Sequence, residues 1–251
     1  MYPYLLSRGS SSSGKRRRGR PRREWLADLP PVTDDDDPLP PTPTAHASQD
    51  PIVKFYARNS PDCKNRTLSA LLSLTNEELE HSHDYIQTLF PLPEPSPFNH
   101  LSPIITPTTA RAFRSSAALR AALRTSFRRM VAFYGFDSGV GEAGVVVVRR
   151  GKGKGWEGRS GFWRRRFDHN HLRITRIIRC LRVLGCEEDA RGFYQAVRKA
   201  EGVGGRSLVF WRRAARRGLE VVPEDEDEEG EEEDGGDGED EGEEGEGERE
   251  V

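Results

Sequence analysis

Residues 168–185 read DHNHLRITRIIRCLRVLG and place two histidines, an asparagine and four arginines within a few helical turns. A His-Asn-His string raises the chemistry of metal-assisted hydrolysis. In nucleases built on that trio, however, the three residues are spread over a hairpin and a helix, and here they are contiguous. His169 and His171, two positions apart, do not share a helix face, and no cysteine or carboxylate stands beside them at a metal-ligand spacing. The three cysteines, Cys63, Cys180 and Cys186, are too few and too scattered for a disulfide framework or a CxxC site, which fits a reducing compartment. No GxSxG, Walker or HExxH string occurs, and the glycines of 151–161 lack the strand-then-helix frame of a phosphate loop. The expectation is a protein that is not an enzyme, with no catalytic residue, no cofactor and no metal.

A second chemistry-bearing run is KRRRGRPRR, residues 15–23. Its core, Arg18-Gly19-Arg20-Pro21, is similar to an AT-hook. Glycine and proline keep such a backbone thin and extended, and the arginines enter the narrow minor groove of A·T-rich DNA, where the negative potential is enhanced. The same residues also read as a nuclear-import signal handed to the import machinery, and both uses can hold together.

The elements that carry these residues follow from spacing. In 168–185, Asn170 is the expected N-cap, Ile174, Ile177, Ile178, Leu181 and Leu184 fall within one arc, and Gly185 ends the helix. Arg173, Arg176, Arg179 and Arg182 occupy the other arc. Arg173 lies near the positive end of the helix dipole, a mildly unfavourable place for a cation, so an internal acidic partner is expected for it. Upstream, Ile86, Leu89 and Phe90 follow Asp84 as expected N-cap, and Pro91 stops that helix. Prolines 91, 93, 95 and 97 suit a rigid extended connector. Thr106-Pro107 and Ser116 are further helix starts, and Leu119, Leu123, Phe127, Met130 and Tyr134 form a stripe ending at Gly135. Residues 138–161 contain eight glycines and read as a loop able to carry a short strand or hairpin. Ala190, Phe193, Val197 and Ala200 mark another helix, and a last one is expected to start after Ser207. The fold expected is all-α, one helical domain of about six or seven helices over residues 50–222.

That domain holds 30 basic and 16 acidic residues, whereas the stretch from Glu224 onward holds 19 acidic residues and one basic. Residues 1–49, basic and proline-rich, and the acidic tail 223–251 have too little apolar content to order themselves and are expected to be disordered. A tail of that charge either solubilises the chain or folds back over the basic domain and competes with polyanions. The longest aliphatic run, Val145–Val148, is far too short to span a bilayer, so no transmembrane segment is expected and any membrane contact is peripheral.

Three stretches, HDYIQTLFPLPEPS (83–96), FRSSAALRAALRTSFRRMVAFYGF (113–136) and HNHLRITRIIRCLRVLGCEEDARGFYQAV (169–197), together resemble the conserved domain of opioid growth factor receptor proteins. Against that family, 138–161 looks like an insertion. The resemblance implies a helical receptor-like protein with a peptide or protein ligand, an enkephalin-type peptide in the best-known member. It also implies a place in the nucleus, associated with the nuclear membrane, and secondarily in the cytoplasm. A site for such a peptide should be an apolar groove with one carboxylate for its amine. Tyr85, Gln87, Phe90, Arg173 and Arg176 lie in family-like strings and are the candidates for that site or for its scaffold, with core packing the simpler role for Tyr85 and Phe90. The alternative function is a nuclear chromatin-associated or nucleic-acid-associated protein that binds A·T-rich DNA through the hook-like segment and a basic helical surface.

Overall fold

The computed structural model describes residues 24–33, 49–96, 99–152 and 154–221. Arg18, Gly19, Arg20 and Pro21 and the acidic tail lie outside the described residues.

Helix α1 (Pro51–Arg58) starts where the Asp50 carboxylate accepts from Ile52 N and Val53 N at 2.9 and 3.1 Å, with proline in the first turn where its missing N–H costs nothing. Three short helices follow: α2 (Leu68–Leu72), α3 (Asn76–His81) and α4 (Tyr85–Leu89). Asp84 sits at the N-cap of α4 but makes no capping bond; its carboxylate goes to Lys64 at 2.5 Å and Arg66 at 2.9 Å. After Pro91 the chain is extended, and Leu92 forms an isolated parallel bridge with Ile104. Helix α5 (Pro107–Arg114) is capped by Thr106 and α6 (Ala117–Phe133) by Ser116.

Strands β1 (Phe136–Val140) and β2 (Val146–Arg150) then pair antiparallel, Phe136 opposite Arg150 and Val140 opposite Val146. Helices α7 (Lys154–Ser160), α8 (His169–Val183), α9 (Glu187–Val197) and α10 (Gly205–Arg216) complete the described elements. This corrects the all-α expectation of six or seven helices: the described residues hold ten helices and a two-stranded sheet. The added helices α2, α3 and α7 are too short for a 3.6-residue period to show. The sheet lies in the Gly-rich stretch, where β-branched Val146–Val148 outweighs the flanking glycines. Helix α8 is capped by Asp168, which accepts from Asn170 N at 2.8 Å, so the expected cap moves two residues upstream. Helix α10 begins at Gly205, ahead of the expected start.

The core runs through α8, which packs on α9 and α10, and is completed by an aromatic cluster under the hairpin. Phe127 meets Phe193 with ring centroids 5.3 Å apart, Phe136 meets Trp156 at 4.8 Å, and Trp163 joins Tyr134 at 5.8 Å to Trp211 at 6.3 Å. Such edge-to-face pairs add to plain area burial. The core also takes in Leu26, ahead of the domain boundary expected at residue 50.

Candidate functional site

The arginine arc of α8 faces inward, and each guanidinium meets partners from another part of the chain. Arg173 is only 5% exposed and donates to the carbonyls of Leu79, Glu80 and Ser82 at 3.1, 3.4 and 2.7 Å and to Asn170 Oδ1 at 3.1 Å. The first two carbonyls belong to the last turn of α3, where helix geometry leaves acceptors without intrahelical donors. The Glu80 carboxylate stands at 4.0 Å. Thus Arg173 is placed internally, with helix-end carbonyls closer than the expected acid. Arg176 donates to Phe90 O at 3.1 Å, just past α4. Arg179 pairs with Glu94 at 2.7 Å and reaches Leu219 O, while Arg182 pairs with Glu187 at 3.0 Å and caps α10 through the carbonyls of Ala214 and Arg217. One row of guanidiniums therefore ties together helix ends and connectors distant in sequence.

The other candidates lie at the same junction. Tyr85 is fully buried under the Arg173 guanidinium, 5.5 Å from its ring centre, and burial pushes its phenol up to about 12. Phe90 is fully buried, and the nearly buried Gln87 donates its amide nitrogen to the carbonyls of His83 and Asp84, both at 3.0 Å. Tyr85 is thereby brought to Arg173 and Phe90 to Arg176, while Gln87 serves its own turn. His171 is buried, its ring nitrogens held by Ser207 Oγ at 2.7 Å and Trp163 O at 2.8 Å. Burial pushes the Cys186 thiol up to about 12 and Cys180 higher still, so neither is a thiolate near neutral pH. Among the described residues no cluster of histidine, cysteine and carboxylate is set to hold a metal ion, and no helix is long and apolar enough to cross a membrane.

The open concave surface lies on the other side, between β2 and α9. This groove encloses about 690 Å³, in the range of small-ligand sites. Its floor is apolar, formed by Phe136, Val146 and Trp156, and the wall made by α9 and the turn after it sets the small Gly192, Ala196 and Ala200 among Arg191, Gln195 and Lys199. Trp156 is 2% exposed, and its indole N–H meets no acceptor among the described residues. One carboxylate, Glu188, stands on the rim, and Lys199 stands eleven residues farther along the same wall. The groove combines an apolar floor with one acid, Glu188, which pairs with Arg191 at 3.3 Å, and four bases, Arg149, Arg150, Arg191 and Lys199, so it suits a ligand with apolar side chains and a carboxylate.

From the sequence alone this groove had no place. Two signals bear on its place: the β-branched run Val145–Val148, which makes one wall, and the four-residue spacing of Gly192, Ala196 and Ala200, which keeps the other wall thin. Two smaller clefts flank it. One, between α8 and α10, carries exposed Phe167 and Leu172. The other, of about 370 Å³ between α9 and α10, sets Tyr194 beside Arg198, Arg212 and Arg216.

Comparison with known proteins gives a consistent result. The family model described as the opioid growth factor receptor (OGFr) conserved region matches residues 53–196. The opioid growth factor receptor of Homo sapiens is 36% identical over 115 residues, covering 43% of this chain and 15% of that protein. Its counterpart in Rattus norvegicus is 37% identical over 115 residues, covering 43% of this chain and 18% of that protein. The opioid growth factor receptor-like protein 1 of Mus musculus is 32% identical over 117 residues, 44% of this chain and 22% of that protein. The matched part is thus less than a quarter of each of these relatives. No solved structure matches.

Proposed function

This chain belongs to the opioid growth factor receptor conserved-region family, and we propose that it acts as a non-catalytic, receptor-like module that binds a short peptide in the groove between β2 and α9. The observation that carries the reading is the groove itself. Its apolar floor suits apolar side chains, Glu188, exposed beside Arg191, suits a free amine, and Arg149 and Lys199 suit a free carboxylate. The names of the relatives supply the ligand class, an opioid growth factor, and an enkephalin is the probe of choice. In this account Tyr85, Gln87, Phe90, Arg173 and Arg176 are the scaffold that holds α8 in place, and the basic segment at 15–23 serves entry to the nucleus.

Calorimetry of the full chain with an enkephalin tests the reading. Saturable binding that weakens about tenfold in Lys199→Glu is the expected result, and an isotherm with no heat of binding contradicts it.

A second reading, an A·T-rich DNA-associated protein, is favoured by the cleft where Tyr194 stands among three arginines. An aromatic face and guanidiniums are the groups that hold nucleic acid. A mobility shift of the full chain on A·T-rich against G·C-rich duplex, lost on Arg20→Ala, would establish it; equal shifts on both duplexes would remove it.

A further inference from the structure

We infer that the peptide enters this groove as an added β-strand, hydrogen-bonding through its main chain to the outer edge of β2. The inference rests on the reading of the groove as a peptide site and specifies how that site recognises its ligand. The register places Gly141 opposite Val145, and Gly141 N donates to Val145 O at 2.8 Å. Because bonded and non-bonded pairs alternate in an antiparallel ladder, Val147 and Arg149 bond to β1, whereas Val146, Val148 and Arg150 turn their N–H and C=O groups the other way. Val146 confirms the direction, since its N–H leaves the sheet and donates to Asp189 Oδ1 of α9 at 2.7 Å. No bond outside the β1 ladder engages the Val148 backbone among the described residues. Every residue from Val145 to Arg150 lines the groove, as expected when a strand presents its edge to it and not one face.

The opposite wall fits the same occupant. Gly192 lets α9 close on the Val146 carbonyl, which a Cβ there would meet at 3.9 Å, so the open part of the edge runs from Val148 to Arg150; there Ala196 and Ala200 keep the far wall low, and the apolar floor of Phe136 and Trp156 takes the side chains that point inward at every second position. The exposed Arg149 makes no ion pair among the described residues and, with Lys199, favours a carboxylate at that end. In strand addition the main-chain bonds supply affinity and the alternate pockets supply preference. Recognition should therefore tolerate changes of sequence better than changes of backbone.

Three titrations of the full chain decide the matter, using an enkephalin and an unrelated zwitterionic peptide of about five residues rich in Val and Thr. The inference predicts that both bind within about tenfold of each other, and that N-methylation of alternate amides abolishes binding of each. Val148→Pro, which removes an N–H that the β1 ladder does not use, should weaken both about tenfold or more while leaving the melting curve in place. Val147→Pro, which breaks the ladder, is the control that should lower the melting temperature. If an enkephalin binds and is lost on Ala196→Trp yet is indifferent to Val148→Pro and to N-methylation, the groove stands and strand addition falls. If the unrelated peptide binds in a Val148-dependent manner and an enkephalin does not bind, strand addition stands and the proposed ligand falls.

Discussion

At the scale of residues, the arginines are the lesson. Their spacing by three puts them on one arc, and the helix dipole asks for an internal partner at Arg173 alone. The structure turns that arc toward helix ends, because a guanidinium has five donors and the last turn of a helix has spare carbonyls. Arg173→Gln removes donors from three carbonyls that are largely shut off from water. A loss of about 2–4 kcal/mol in unfolding free energy is expected, read as a lower melting temperature; an unchanged melting curve would show that the contacts contribute nothing. Asp84 supplies a pH test. Burial alone would raise its pKa, yet Lys64 and Arg66 hold the carboxyl down at about 2. A folded pKa below the unfolded value, ~3.9, adds stability above pH 4 that disappears as pH falls toward 2. Wild type should therefore exceed Asp84→Asn in stability at neutral pH, with the gap closing across that window, and a constant gap down to pH 2 would refute the ion-pair account.

At the scale of elements, long periodic helices were readable and short ones were not. Helix α6 announced itself by Leu119, Leu123, Phe127 and Met130 and by the Ser116 cap, and α5 by Thr106-Pro107. Helices α2 and α3 span barely a turn and a half, so tertiary packing decides them and no pattern can build up. The Gly-rich stretch, expected as a loop able to carry a short strand or hairpin, does carry a hairpin, and its glycines serve close approach. A Cβ placed on buried Gly151 would lie 2.5 Å from Gly135 O, a backbone atom held in turn by a glycine at φ +87. Neither side can yield. Gly151→Ala should cost about 1–3 kcal/mol and loosen β2, seen as faster amide exchange along Val146–Arg150; unaltered exchange would mean that this contact does not set the hairpin.

At the scale of the whole molecule, the fingerprint strings and the groove have separate duties. The strings at 83–96 and 169–197 meet across the α8 arginines and build a frame. The groove depends on two walls, β2 and α9, whose approach arises only when the chain is folded; the sequence showed its components without their meeting. The family match over residues 53–196 takes in the frame and most of the groove alike, so the family and the ligand must be established by different evidence. The most direct test of the groove as the binding site is calorimetry of an enkephalin against the wild-type chain and against Ala196→Trp, with circular dichroism to show that the helices persist. The account predicts one saturable site in the wild type, weakened about a hundredfold or more once the indole fills the groove. Equal affinity in the two proteins would place the ligand elsewhere and contradict the account.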